Sequence, residues 1–175
     1  MSVPARGGAL LFLTALLGGC TPALDWREVR PAGAALQLQF PCRPASQQRQ
    51  VPLAGAPVPL TLYACDAGGQ TFALALADVA DPARVAPALA ELVAASARNV
   101  GAPATGGRAQ QPPGATPHAG NQRYVLAGQR PDGRPARVAL LVFTHGTTVF
   151  QATVLGEQLA DDAVETFFGS LRAGS

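Results

Sequence analysis

The sequence predicts an α+β fold in which an antiparallel sheet of about six to eight strands carries two packed helices. Short stretches that alternate apolar and polar residues fill the first half of the chain and return near its end. Two other stretches, one central and one C-terminal, repeat apolar residues at helical spacing. Glycine, proline and aspartate separate the strands at short intervals, as in antiparallel meanders.

The first 19 residues predict a secretory leader. Arg6 supplies a positive start, and the apolar stretch 9–17 that follows is too short to cross a bilayer. Leucine and small residues then precede a cysteine in Leu17-Gly18-Gly19-Cys20. This tetrapeptide resembles the lipobox of bacterial lipoproteins. The resemblance implies a lipoprotein signal peptide over residues 1–19 and a lipidated Cys20, which becomes the acylated N-terminus.

The same resemblance implies a location in the bacterial cell envelope, lipid-anchored and facing the periplasm. Thr21 follows the cysteine, and it is not the aspartate that retains lipoproteins at the inner membrane in enteric-type sorting. The outer membrane is therefore favoured over the inner one. We expect a lipidated tether over residues 20–25 and a single α+β domain over residues 26–173. Because the five residues before Trp26 span at most about 18 Å, the domain is expected close to the bilayer.

Composition argues against a nucleic-acid partner. All 13 basic residues are arginine, and the chain beyond residue 19 has 12 Arg against 11 Asp and Glu, a net charge of +1. Nucleic-acid binding calls for a clustered cationic face, and no basic run occurs. The 156 residues that follow the leader are enough for one hydrophobic core.

Four strands are predicted in the first half. The first ends at Pro41 and Pro44, and the second is an edge-like strand that Pro52 limits. The third and fourth are joined by a glycine turn. The predicted spans are Ala34–Phe40, Gln48–Leu53, Leu60–Cys65 and Thr71–Ala77, with the turn at Asp66–Gly69.

A central helix is predicted from the apolar positions Val85, Leu89, Leu92, Val93 and Ala97. Asp81 and Pro82 are typical of an N-cap followed by a proline at the first helical position. Pro87 conflicts with a start at that point, since an interior proline lacks a backbone donor. The regular helix is therefore expected to begin nearer Pro87, and it ends at Asn99 and Gly101.

The second half begins with a loop over residues 101–120 that is rich in Gly and Pro and is either functional or flexible. A short strand near Arg108–Gln111 would divide this loop. Three strands and a helix then complete the fold. The continuously apolar run Leu140–Phe143 indicates a strand covered on both faces. The helix has an apolar stripe from Ala160 to Leu171 that includes Phe167 and Phe168. The three strands are predicted at Arg123–Gly128, Ala136–Phe143 and Thr148–Val154.

Two cysteines remain once Cys20 is set aside. Cys42 and Cys65 form a pair in an exported compartment, where a disulfide is the default. Closing that loop would stabilise the fold by roughly 3.5 kcal/mol on the chain-entropy model. A redox or metal pair is the alternative, but the chain has no Cys-x-x-Cys motif and no histidine near either cysteine.

Residues for catalysis do not assemble into a known pattern. His118 falls in the long loop, and His145 falls in a predicted hairpin turn, where a solvated side chain is expected. No serine stands in a Gly-x-Ser-x-Gly motif, and Asp161 and Asp162 are explained as helix-start residues. We therefore predict no enzyme activity, no metal site and no cofactor. Trp26 is interpreted as a core anchor, with insertion into the lipid interface as the alternative.

The order of elements resembles the PsbP-like fold, named for the extrinsic subunit of the oxygen-evolving complex. Trp26 precedes a segment from Gly33 that ends in Phe40-Pro41, and the chain ends in Phe167-Phe168-Gly169-Ser170-Leu171-Arg172. The resemblance covers about residues 26–172. It implies a binding or assembly role and supplies no shared catalytic residues. The Cys42/Cys65 pair departs from the usual pattern of that family.

The expected function is a membrane-anchored envelope lipoprotein that acts as a non-catalytic binding or assembly module. Its partner would be an envelope protein, contacted by the 101–120 loop and the 130–135 hairpin. One alternative is a small-ligand or metal-binding protein with a pocket between sheet and helix. The other is a hydrolase, which would need His145 within hydrogen-bond reach of a nucleophile.

Overall fold

A computed structural model describes residues 24–174. The predicted signal peptide, the lipobox and Cys20 lie outside the described residues. The α+β class is confirmed. Its elements are β1 Arg27–Val29, β2 Leu36–Phe40, β3 Ala45–Leu53, β4 Ala56–Ala67, β5 Gln70–Asp78, α1 Pro82–Asn99, β6 Arg108–Ala109, β7 Gln122–Gln129, β8 Pro135–His145, β9 Thr148–Gly156, α2 Asp161–Gly169 and β10 Arg172–Ala173.

The main sheet has seven antiparallel strands in the order β3-β4-β5-β9-β8-β7-β6. Its strand number falls in the predicted range. A second sheet of three strands, in the order β1-β2-β10, was not predicted. This small sheet brings the first and last strands of the described chain together, because both pair antiparallel with β2.

The helices pack on opposite faces of the main sheet, as the alternation along β8 shows. Val138, Leu140 and Val142 join the cluster beneath α1. Leu141 and Phe143 point the other way, into the cluster shared by α2 and the small sheet. The domain thus has three layers, and the prediction that β8 is covered on both faces is confirmed.

Helix α1 begins at Pro82, so the expected start near Pro87 is wrong. Asp81 caps the helix, and its carboxylate accepts a hydrogen bond from the Ala83 N–H. Pro87 lies inside the helix but on its exposed side. Because water reaches that side, the carbonyl that loses its intrahelical partner can be solvated, and the cost of the proline is reduced.

Helix α1 crosses its face of the sheet diagonally. Near its start, Arg84 donates to the carbonyls of Leu53, Ala54 and Val79 at 2.7, 3.0 and 2.8 Å. Just past its end, the Val100 carbonyl accepts from the Gln129 N–H at 2.9 Å, at the opposite corner of the sheet. The corner formed by the beginning of β3 and the end of β4 is therefore left uncovered on this face.

The main sheet has two distinct ends. The entry end carries the turns at residues 67–70, 129–135 and 156–160. The far end carries the turns at 54–55, 78–81 and 146–147.

Replacing Arg84 with methionine is expected to lower the free energy of unfolding by about 2 kcal/mol, because three partly buried carbonyls lose a charged donor. Urea unfolding measures the change. Arg98→Met, at an exposed position in the last turn of the same helix, is the control and should change stability by less than about 0.5 kcal/mol. Equal effects of the two substitutions would contradict the role given to Arg84.

The chain enters beside the core that faces α2. Leu24 packs against that core, and the Asp25 N–H donates to the Pro41 carbonyl at 2.8 Å. Trp26 packs edge-to-face on Phe72 with ring centroids 6.0 Å apart, in agreement with a core anchor. Contacts with the domain therefore already begin at Leu24 and Asp25, which the sequence analysis assigned to the tether.

The predicted disulfide is present. Cys42 and Cys65 are bonded, with Cα atoms 6.1 Å apart. Cys42 lies between β2 and β3, and Cys65 lies near the end of β4. The bond therefore holds the connection between the two sheets against the main sheet.

Candidate functional site

The 101–120 loop is less free than the sequence suggested. The Thr116 N–H donates to the Thr144 carbonyl at 2.8 Å, and the Ala173 N–H donates to the Pro113 carbonyl at 2.9 Å. Ala115 is buried in the core. Residues 112–116 thus form a strap held across the far end, and β6 at Arg108–Ala109 confirms the predicted short strand.

His145 is the last residue of β8, directly before the 146–147 turn, and its side chain is half-buried rather than fully solvated. Its Nδ1 lies 2.9 Å from the Gly114 carbonyl oxygen. Because a carbonyl can only accept, this Nδ1 carries the proton and donates. The ring therefore fixes the strap to the sheet. His118 makes a local contact, in which its Nδ1 accepts from the Gly120 N–H at 2.9 Å.

The hydroxyls of Ser96 and Ser170 are hydrogen-bonded to groups other than the histidine rings. The Ser170 hydroxyl accepts from the Gln39 N–H and donates to the Phe167 carbonyl. The Ser96 hydroxyl accepts from the Gln151 side-chain amide at 3.2 Å, beneath α1. Among the hydrogen bonds of residues 24–174, none joins a serine hydroxyl to a histidine ring, so the histidine-nucleophile contact that a hydrolase requires is not seen there.

A small electrostatic contact joins two turns of the far end. The Asp78 carboxylate accepts from the Thr147 hydroxyl at 2.7 Å and from the Ala80 N–H at 2.8 Å. The Thr147 hydroxyl and, after it, the Ala80 N–H lower the pKa of Asp78 from its ordinary value. The contact holds the 78–81 turn against the 146–147 turn.

Asp78→Asn is expected to remove a stabilisation of less than about 1 kcal/mol, because the side chain is exposed. The folded pKa is lowered, so the wild type gains this stability above the unfolded pKa of about 3.9 and loses it as pH falls through the folded value. Unfolding curves of both proteins should therefore differ at pH 6 and converge as the pH falls through the folded pKa of Asp78. A difference that grows on acidification would contradict the assignment.

The 130–135 hairpin is held by one arginine. Arg134 pairs with the Asp132 carboxylate at 2.8 Å, and its guanidinium lies 3.7 Å from Glu157. The Arg134 backbone N–H, followed by its side chain, lowers the pKa of Asp132. This hairpin belongs to the entry end, whereas the strap belongs to the far end. The two predicted contact regions therefore do not form one surface.

The predicted pocket between sheet and helix corresponds to an open groove of about 420 Å³ between β2 and α2. Its polar side chains are Gln37, Gln39, Glu165, Thr166, Ser170 and Arg172. Glu165 is already paired with Arg123 at 2.7 Å. The Ser170 hydroxyl and the Gln37 side-chain amide are already hydrogen-bonded within the domain, so a small polar ligand in the groove would compete with these bonds.

A second surface, which no local sequence pattern indicates, lies at the corner of the sheet that α1 leaves uncovered. One depression, of about 320 Å³, is lined by Ala45, Gln47, Leu62 and neighbouring residues of β3 and β4. A groove of about 300 Å³ runs beside it along α1 and is bordered by Leu60, Glu91 and Arg98. We call the two together the open corner.

The His, Cys, Asp and Glu side chains of residues 24–174 are dispersed. In that range no three His, Cys, Asp or Glu side chains group in a way that could hold a metal ion. Neither helix of the described domain is long and apolar enough to cross a membrane. No family model and no curated protein matches the chain.

Proposed function

We propose that this protein is a bacterial envelope lipoprotein, anchored through lipid on Cys20, whose PsbP-like domain acts as a non-catalytic binding or assembly module. The lipobox resemblance supports the anchor. The three-layer α+β domain with its antiparallel sheet is compatible with the PsbP-like assignment. Periplasm-facing attachment to the outer membrane, rather than the inner one, is part of the proposal.

The observation that carries the proposal is the short connection between Cys20 and the folded domain. Leu24 already packs on the core, and only four peptide units separate it from Cys20. Such a segment spans at most about 14 Å. Leu24 also lies beside Gly68 in the 67–70 turn of the entry end. A lipid on Cys20 would therefore hold the entry end beside the bilayer and direct the far end away from it.

This orientation distinguishes the two predicted contact regions. The 130–135 hairpin would face the bilayer, while the strap over residues 112–116 would face the periplasm. Binding surfaces on rigid supports lose little entropy when they engage a partner. The strap is such a surface, because backbone bonds and His145 fix it to the sheet.

Site-specific photo-crosslinking in the native envelope tests the proposal. A photoreactive residue at exposed Pro117, beside the strap, should give a recurrent protein adduct, and one at Asp132 in the hairpin should not. The Pro117 adduct should be lost when Cys20→Ser removes the anchor. An equal adduct pattern from both positions, or none from any far-end position, would contradict the proposed orientation and role.

Small-ligand binding is the second candidate, and the groove between β2 and α2 favours it because several amide and hydroxyl groups converge there. A ligand in that groove should raise the melting temperature of the full-length protein and shift the amide signals of Gln37 and Gln39. A metabolite and metal screen that leaves the melting temperature unchanged would argue against this candidate.

A further inference from the structure

Strand β3 is an open edge of the main sheet. It is nine residues long, pairs with β4 alone among residues 24–174, and is exposed over Ala45–Gln50. The other edge of the sheet, β6, has only two residues. Long exposed edges are uncommon in natural sheets, because their unpaired N–H and C=O groups accept further strands.

The turn at the far end decides which backbone groups of β3 face outward. Ala54 and Gly55 have φ values of +50° and +81°, as in a two-residue type I′ turn. In such a hairpin the pair that flanks the turn, Leu53 and Ala56, is hydrogen-bonded. Along the ladder from that pair, non-bonded and hydrogen-bonded pairs then alternate. The N–H and C=O groups of Ser46, Gln48 and Gln50 therefore point away from β4.

Three prolines support this register. Pro52 pairs with Pro57, and Pro59 pairs with Gln50, all at positions that the alternation leaves without bonds between β3 and β4. A proline lacks an N–H and would cost a ladder bond at any of the other positions. Pro52 also shows that the outward positions of β3 tolerate proline.

The hairpin of β3 and β4 is positively charged. Residues 41–65 contain Arg43 and Arg49 and no aspartate or glutamate. Arg49 is exposed and lies on the same face of the sheet as the open corner. Arg98 and Glu91 border that corner, and the Glu91 carboxylate accepts a hydrogen bond from the Ala54 N–H at 2.8 Å. The floor of that corner is apolar and includes the half-buried Leu60 and Leu62.

We propose that the open edge of β3 binds an extended acidic segment of a partner protein as an additional strand. The outward groups of Ser46, Gln48 and Gln50 would bond to its backbone. Its acidic side chains would meet Arg49 and Arg98, and alternate apolar side chains would extend over the open corner. This inference goes beyond the proposed function and does not depend on lipidation.

Charge argues against two other occupants of the edge. Residues 1–23 of the chain contain no acidic side chain and do not complement the arginines. A second copy would bring one hairpin with Arg43 and Arg49 against another, which is unfavourable for like charges. An acidic segment from a different protein fits better than either.

Full-length protein in detergent micelles and two acetylated ten-residue peptides test the inference. One peptide alternates valine with glutamate, and the other alternates valine with lysine. The glutamate peptide should bind and protect the amide protons of Gln48 and Gln50 from exchange. Gln48→Pro, which removes an outward donor, should weaken binding by about tenfold, whereas Gln48→Ala should stay within about twofold. Arg49→Glu, at an exposed position, should reverse the preference between the peptides.

Several results would overturn the inference. One is equal binding of the two peptides to the wild-type protein. Another is binding of the glutamate peptide that neither Gln48→Pro nor Arg49→Glu changes. A third is protection of amide protons that is confined to residues outside β3. Protection of Gln48 that rises with protein concentration in the absence of peptide would instead indicate a second copy. Binding of phosphatidylglycerol vesicles through β3, with no peptide binding, would indicate a membrane contact.

Discussion

Replacing Cys42 and Cys65 together with serine is expected to lower the free energy of unfolding by about 3.5 kcal/mol. The bonded cysteines are 23 positions apart, and the bond restricts the unfolded chain over that loop. The loop contains β3 and most of β4, which form one side of the main sheet and have no helix over the open corner. The loss of stability should therefore be largest in this hairpin.

Urea unfolding of the oxidised wild type and of the double serine variant measures this effect. With a thiol reductant present, the wild type should have the same free energy of unfolding as the variant. The reductant should not change the free energy of unfolding of the variant. A loss below about 1 kcal/mol would show that the bond does little for the folded domain. Because β3 begins three residues after Cys42, the variant should also show faster amide exchange in β3 than in β8.

Phe167→Ala is expected to lower the free energy of unfolding by about 4 kcal/mol. The side chain is fully buried at the centre of the core between α2 and the two sheets. Its ring packs edge-to-face on Phe40 of β2 and Phe72 of β5, with centroids 5.2 and 5.4 Å apart. Removing it leaves a cavity where all three elements meet.

Equilibrium unfolding in urea tests this prediction, and Val125→Ala is the control. Val125 is an apolar residue of β7 that is 61% exposed, so its truncation should cost less than about 0.5 kcal/mol. A cost for Phe167→Ala below about 2 kcal/mol would show that the core collapses around the missing ring. Phe167→Leu, which keeps most of the apolar volume, should lose less than Phe167→Ala.

Much of the fold could be predicted from local patterns. Strong period-2 stretches gave the main strands, and the apolar run Leu140–Phe143 correctly indicated a strand covered on both faces. The small sheet could not be predicted, because β1 has three residues and β10 has two, too few to show a period. The start of α1 was misplaced because the exposure of Pro87 depends on the packing of the whole helix.

Less of the candidate site could be predicted from the sequence. The disulfide could be predicted from the number of cysteines and from the expected export of the chain. The separation of the 101–120 loop from the 130–135 hairpin depends on strand order, which no local pattern encodes. Likewise, β3 was predicted as an edge-like strand, but which of its donors face outward depends on the turn at Ala54 and Gly55.

The central claim is that Cys20 carries the membrane anchor. Mass spectrometry of the N-terminal peptide, purified from bacterial membranes, tests it most directly. We predict a chain that begins at Cys20, with a diacylglycerol on its thiol and an acyl group on its amine. Cys20→Ser should move the protein out of the membrane fraction. A chain that retains residues 1–19, or an unmodified Cys20 on membrane-bound protein, would contradict the account.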